Sequence, residues 1–348
     1  MSSSHLVAAL YHFVRLDDPV ALQQVLVDKT AEHHIIGTLL VAGEGINGTI
    51  AGQPDDVHAF LQWLKADPRF AKLVHKESHA DDKPFYRMRV KVKREIVTMG
   101  VPGTDPNHIV GTYVKPQEWN TLIARDDVIV VDTRNDYEVA IGTFAGAEDP
   151  DIKSFKAFPE WMDARIEQAK ANGVDAPKIA MFCTGGIRCE KSTSYVKSKG
   201  VDEVFHLEGG ILKYLEEVPE AESTWEGECF VFDQRVSVGH GLELGSYGLC
   251  FSCRRPLSDD DMERPEYEEG VSCHQCIDET TDKQKNAFRE RQLQMRIAQR
   301  RGEDHVGCGA DEMQQRRAEK EARKQRDRDL ARASLKVPAA AAKETVKA

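Results

Sequence analysis

Residues 178–199 read KIAMFCTGGIRCEKSTSYVKSK and place a thiol where it can react. A short apolar run, 179–182, ends at Cys183-Thr184-Gly185-Gly186-Ile187-Arg188, and a helix-forming segment continues to Gly200. A loop between a strand and a helix offers backbone N–H groups and a helix N-terminus, both of which attract negative charge. Gly185 and Gly186 let the backbone curl inward without a Cβ clash. Arg188 adds a cation. All three favour the Cys183 thiolate, the nucleophilic form of the side chain. A buried structural cysteine is the alternative, since free cysteine is often buried, but packing alone does not call for two glycines and an arginine beside it.

A second set of cysteines has metal-ligand spacing. Cys250-x2-Cys253 is followed, after nineteen intervening residues, by Cys273-x2-Cys276. Two such pairs supply four thiolates to a tetrahedral zinc ion and leave no open position, so the expected site is structural. Four reduced cysteines without metal are the alternative. His274 lies inside the second pair and is read as a bystander, and Cys308 as a weakly packed thiol. Eight cysteines in 348 residues do not form the framework of a small secreted protein. Thiols kept for chemistry and metal fit a reducing cytoplasm. The N-terminus lacks the features of a signal peptide, and no apolar run is long enough for a membrane span.

The net charge of −11 hides an asymmetry. Lys and Arg outnumber Asp and Glu over 283–336, while the rest of the chain is acidic. A basic tail on an acidic body suggests a nucleic-acid partner, with a solvated tail as the alternative. A second basic feature is sharper. Arg87, Arg89, Lys91 and Lys93 alternate with Met88, Val90 and Val92, so a strand would carry four cations on one face. Phe85 and Tyr86 precede it. The arrangement suits phosphate tracking with base stacking; an ordinary solvated strand face is the other reading.

These residues need elements to hold them. The first 100 residues read β-α-β-β-α-β plus one strand, which predicts a ferredoxin-like, acylphosphatase-like α+β domain. A Pro/Gly-rich linker, 101–111, follows. Strands then alternate with helices over 112–222, which predicts a parallel α/β domain. Cys183 falls past the C-terminal end of one of its strands, where ligands bind in open sheets. Residues 223–282 read as hairpin material and the small four-cysteine module. Residues 283–348 read as a charged helical tail that ends in a disordered Ala/Lys-rich stretch.

The four residues between Cys183 and Arg188 make a tighter loop than the Cys-x5-Arg loop that cysteine phosphatases share. The loop resembles that of the rhodanese family, whose cysteine carries a terminal sulfur as a persulfide. Val131-Asp132-Thr133-Arg134, with Glu138 downstream, resembles that family's Asp-x-Arg strand end, and Leu207-Glu208-Gly209-Gly210-Ile211 its closing Gly-Gly motif. Residues 142–147, GTFAGA, depart from the family's usual Gly-His-Ile-Pro-Gly-Ala. Asp132 and Arg134 are expected to form a buried ion pair that supports the strand end. Cys189 has two readings: a small packing residue, or a thiol that resolves an oxidised or persulfidated Cys183.

Taken with GEGINGT at 43–49, CTGGIRCEK at 183–191 and the later cysteine pairs, the chain resembles the rhodanese-type, oxygen-dependent tRNA uridine hydroxylases. The resemblance covers about residues 1–280. It implies formation of 5-hydroxyuridine at the wobble position, tRNA as partner, O2 as co-substrate with an unidentified electron donor, and a persulfide role for Cys183. The residues alone point only as far as sulfur transfer. They contain no dinucleotide fingerprint and no obvious set of redox-metal ligands. Sulfur transfer to an acceptor, from a sulfur or electron donor protein, and a silent RNA- or protein-binding module both stay open on that basis.

Overall fold

A computed structural model describes residues 5–301 and Arg326. Cys308 and most of the basic tail lie outside the described residues. The chain divides into two units, 1–292 and 293–348, and apart from the end of the last helix all that follows concerns the first.

The first part of the chain forms β1 (His5–Phe13), α1 (Pro19–Glu32), β2 (Ile36–Ala42), β3 (Gly45–Gly52), α2 (Pro54–Ala66), β4 (Val74–Ala80) and β5 (Met88–Val92). Asp18 starts α1 by accepting the Ala21 N–H at 2.9 Å, with Pro19 in the first turn where its missing N–H costs nothing. The sheet order is β4-β1-β3-β2-β5, so the predicted ferredoxin-like order is present with β5 added in parallel beside β2. One face of the sheet buries Leu6, Leu10, Leu39, Ile46 and Ile50 under Leu26, Phe60 and Leu64 of the helices.

Sequence periodicity extends the last strand to 98, but pairing stops at Val92. From Glu95 on, backbone groups find partners elsewhere. Glu44 accepts the Ile96 N–H at 2.6 Å, Asn47 donates to the Ile96 carbonyl at 2.8 Å, and Lys191 donates to the Val97 carbonyl at 3.0 Å.

The next region contains β6 (Thr112–Val114), α3 (Pro116–Ile123), β7 (Val128–Asp132), α4 (Asp136–Val139), β8 (Gly142–Phe144), α5 (Phe158–Ala171), β9 (Lys178–Phe182), α6 (Ile187–Ser198), β10 (Val204–Leu207) and α7 (Gly210–Glu217). Its sheet, β6-β10-β9-β7, is parallel throughout. Alternation along β9 explains the layers. Ile179, Met181 and Cys183 pack with Phe158, Met162 and Val196 on one face, and Ala180 and Phe182 with Trp119, Leu207 and Tyr214 on the other.

Helix α6 is polar yet buried from Arg188 to Val196. Its polar side chains serve neighbouring segments. Thr193 Oγ1, for example, accepts the Gly111 N–H at 3.0 Å.

After β11 (Trp225–Gly227), the pairs are short. β12 (Cys229–Phe230) joins β13 (Ser237–Val238), and β14 (Gly248–Leu249) joins β15 (Pro256–Leu257). The hairpin material expected over 229–248 is thus confined to two-residue ladders, and 248–249 pair forward. α8 (Asp259–Glu263) and α9 (Asp282–Arg300) follow. The small core here is Leu257 with Cys250, Cys273 and Cys276, so the cysteines themselves are its centre.

Candidate active site

Cys183 has no exposed surface as its own loop wraps it, yet it lines a cleft of about 660 Å³. The Gly186 N–H donates to its Sγ at 3.1 Å, and Gly186 takes a φ of +100° to aim that group. The start of α7 fastens the loop from the other side. Ile211 N–H donates to the Cys183 carbonyl at 3.0 Å, and Leu212 N–H to the Thr184 carbonyl at 3.1 Å. This explains the second Gly of Gly209-Gly210: a Cβ at Gly210 would strike the Cys183 and Thr184 carbonyls and the Gly186 nitrogen.

Burial pushes the Cys183 thiol up. A hydrogen bond from the Cys189 thiol, the nearby Arg188 cation and the N–H groups of Cys189 and Gly186 outweigh it, so the thiol lies below its ordinary range. Burial and the Cys183 charge push Cys189 well above that range. Each thiol thus acts on the other, and the anion is favoured on Cys183 over Cys189.

Arg188 does not bond to the thiolate. Its Nη1 and Nη2 donate to the two Glu138 carboxylate oxygens, each at 2.7 Å, and Nη2 also donates to Thr184 Oγ1 at 3.3 Å. The cation expected to act freely on Cys183 is paired, and it acts on the sulfur at longer range. Arg188 holds Glu138 below the usual carboxylate range, although burial opposes this.

Asp132 and Arg134, both fully buried, pair at 2.6 Å. Arg134 also donates to the Glu138 carbonyl at 3.2 Å and to that of Gly142, and Thr143 Oγ1 donates to Asp132 at 2.9 Å. The pair ties the end of β7 to α4 and β8, which places Glu138 beside Arg188.

The opposite wall comes from the first sheet, and pattern reading missed it. Lys76 Nζ donates to the Gly185 carbonyl at 2.9 Å. Burial lowers its pKa to about 8, partly offset by the Cys183 charge. Tyr11 lines the cleft and donates to Glu190 at 3.2 Å. Lys191, 2% exposed, lies 2.9 Å from Glu44 and 2.6 Å from Glu95. The signal for the Glu44 contact was the charged pair of motifs itself: Glu44 belongs to GEGINGT and Lys191 to CTGGIRCEK.

A third wall contains Val231, Phe232 and Arg235. Arg235 pairs with Asp233 at 2.6 Å and reaches Ser78 Oγ at 2.7 Å, which fixes this segment to β4. Phe232 stays 58% exposed.

Arg87, Arg89, Lys91 and Lys93 are all exposed on or beside edge strand β5, while Met88 and Val90 pack on the first core. Among the described residues none of the four has an ion pair. Lys93 reaches the cleft; the other three lie outside it.

The ligand atoms of Cys250, Cys253, Cys273 and Cys276 lie within 4.8 Å of one another. Three of their sulfur separations are 3.9, 3.8 and 3.7 Å. Four sulfurs about 2.3 Å from one tetrahedral ion must stand about 3.8 Å apart, so the cluster can hold a metal. His274 turns toward Asp261, at 3.5 Å, and stays outside the set.

Among known proteins, residues 5–96 match the model of the UPF0176 acylphosphatase like domain, and residues 115–217 that of the rhodanese-like domain. A protein of Rhizobium etli called tRNA uridine(34) hydroxylase is 55% identical over 303 residues, 87% of this chain and 96% of its own. One of the same name from Agrobacterium fabrum is 56% identical over 307 residues, 88% of this chain and 96% of its own. A third, from Albidiferax ferrireducens, is 57% identical over 303 residues, 87% and 95% of the two chains.

Proposed function

The chain belongs to the tRNA uridine(34) hydroxylase family, and from that membership we propose that the cleft receives the wobble uridine and Cys183 reacts there. The protein is an oxidoreductase that hydroxylates uridine 34, and tRNA is its substrate. The observation that carries the site assignment is the position of Cys183. Among the described residues it is the one cysteine lining the cleft, and its thiol is biased toward the anion.

Anticodon-loop bases are single-stranded and can be splayed out, so the wobble base enters without opening a duplex. Phe85 and Phe232 line the cleft and offer faces on which it stacks. Arg87, Arg89, Lys91 and Lys93 meet the phosphates on the flanking surface. The product is 5-hydroxyuridine. One atom of O2 enters the base and the other leaves as water, with two electrons from a donor that is a separate protein or small thiol.

In this reading the sulfur of Cys183 carries negative charge, as thiolate or as the terminal sulfur of a persulfide. The N–H groups of loop 184–187 and the paired Arg188 hold that charge in place. Cys189 stays protonated and its S–H donates a hydrogen bond to the Cys183 sulfur. Asp132 and Arg134 support the loop from beneath. The four-cysteine cluster holds a zinc ion that serves folding, because four thiolates leave no site for substrate. We take the domains as 1–100, 112–222 and 223–282, with 101–111 as linker.

Cells lacking the gene, complemented with wild type or Cys183→Ser, provide the test. Wild type restores 5-hydroxyuridine derivatives in tRNA and the serine variant does not. Full complementation by the serine variant would mean a silent RNA-binding module. Turnover of thiosulfate without any tRNA product would mean a sulfurtransferase.

A further inference from the structure

Glu190 lies in the first turn of α6, two residues past Arg188, and is 8% exposed. No Lys or Arg pairs with it within 4 Å among the described residues. Instead it accepts two phenols. Tyr113 Oη reaches both carboxylate oxygens at 2.8 Å, and Tyr11 Oη reaches Oε1 at 3.2 Å. Tyr113 is 47% exposed on β6, so one end of the chain of oxygens meets solvent. Tyr11 lines the cleft, so the other end meets the space beside Cys183. Its hydroxyl lies against the cysteine loop: a Cβ on Gly186 would stand 2.9 Å from it. Solvent, Tyr113, Glu190, Tyr11 and cleft thus form one hydrogen-bonded line.

We propose that Tyr113, Glu190 and Tyr11 form a proton relay that feeds the reaction in the cleft. The inference rests on the functional reading above. Hydroxylation converts a base C–H, O2, two electrons and two protons into C–OH and water. Those protons must reach a cleft that the bound base fills, beside a cysteine covered by its own loop.

In each transfer Tyr11 gives its phenolic proton to the reduced oxygen in the cleft. The Glu190 carboxyl proton moves to Tyr11, the Tyr113 proton moves to Glu190, and water reprotonates Tyr113. No heavy-atom bond changes and no electron moves along the line. The groups facing Glu190 are Tyr11 from β1, Lys76 from β4, Tyr113 from β6 and Cys183 from the loop, with Glu208 acting on Tyr113. Burial raises the Glu190 carboxyl above its ordinary value, the two phenols and Lys76 oppose this, and Cys183 adds to it. The net upward shift suits a group that must hold a proton and pass it on. A purely structural acceptor for two phenols would need only a neutral amide.

Glu190→Gln keeps an acceptor for the phenols but cannot relay. With unmodified tRNA, O2 and a thiol reductant, it should lower kcat by about 100-fold, within the range for general acid–base groups. Its Kd for tRNA and its melting temperature should stay unchanged, and its kcat–pH profile should lose the wild-type dependence. Tyr113→Phe, on the exposed end, should lower kcat and enlarge the solvent deuterium isotope effect. Wild-type kcat and pH profile in both variants would overturn the relay while leaving the hydroxylase reading intact. A loss of melting temperature and tRNA binding in parallel with kcat would also overturn it, as a structural brace. A wild type that makes no hydroxylated tRNA would overturn the functional reading, and the relay with it.

Discussion

Arg188 and Glu138 face each other across the cysteine loop, two guanidinium nitrogens on two carboxylate oxygens, each at 2.7 Å. Both groups are buried. The arginine that makes the loop look electropositive in sequence is neutralised by a residue 50 positions earlier. The loop therefore biases Cys183 through the Cys189 thiol and the Arg188 charge acting from a distance, with the close N–H groups adding to them.

Glu138→Gln should destabilise the fold by about 3–5 kcal/mol, because it leaves a buried guanidinium without its counter-charge. Urea denaturation followed by tryptophan fluorescence measures this. The wild-type pair also has a pH signature. Arg188 holds the folded-state carboxyl below its unfolded value, so the unfolded chain binds more protons as pH falls. The stabilisation is complete above about pH 4.3 and is lost as pH drops through the folded value. Glu138→Gln should lack this acid dependence.

Alkylation separates the two loop thiols. Iodoacetamide at neutral pH, read by peptide mass spectrometry, should modify Cys183 and spare Cys189 until the protein is denatured. Cys183 is depressed by the Cys189 hydrogen bond, Arg188 and loop N–H groups against the opposing effect of burial, and Cys189 is raised. The unfolded thiol titrates at about 8.5. Wild type should gain stability over Cys183→Ala as pH rises from the folded value to the unfolded one, and lose it as pH falls. Equal labelling of the two thiols would contradict the bias toward the Cys183 anion.

Lys191 joins the two motifs GEGINGT and CTGGIRCEK through Glu44, and braces the 93–111 segment through Glu95. Lys191→Met should cost about 3–5 kcal/mol, since two carboxylates then face each other without a cation. Hydrogen exchange should show the loss first in 93–111, the segment that packs on α6. Unchanged protection there would remove the brace from the account.

The four-cysteine cluster should bind one zinc ion per chain, measurable by elemental analysis of purified protein. Cys253→Ser or a strong chelator should remove it and expose 248–279 to proteolysis. A zinc-free protein with an intact, protease-resistant module would contradict the structural role.

Triple replacement of Arg87, Arg89 and Lys91 by Ala should weaken tRNA binding and flatten its salt dependence. Each lost phosphate contact lowers the slope of log K against log salt by about 0.7–0.9. These side chains lie outside the cleft, so kcat at saturating tRNA should be unchanged.

Much of this was legible in residue order. A short apolar run located β9, period-two alternation located β5, and paired CxxC spacing located the cysteine cluster. Spacing from Cys183 to Arg188 identified the kind of loop. What spacing cannot show is who lies across from whom. Tyr11, Lys76 and Glu190 come from separate parts of the chain, and nothing near Tyr11 in sequence marks it as a neighbour of Gly186. Glu138 was visible as a residue downstream of Arg134. Its partner Arg188 was not, because that pairing depends on how α4 packs against the loop. Strand β5 was read too long because Ile96 and Val97 look like its continuation, whereas their backbone groups bond to Glu44 and Lys191 instead.

The central claim is that Cys183 is the reacting group of a tRNA hydroxylase. Unmodified tRNA should be incubated with pure protein, O2 and a thiol reductant, digested, and weighed by mass spectrometry, wild type against Cys183→Ala. The account predicts a gain of one oxygen atom at uridine 34 with wild type and none with the alanine variant. Equal oxygen incorporation by both would contradict it.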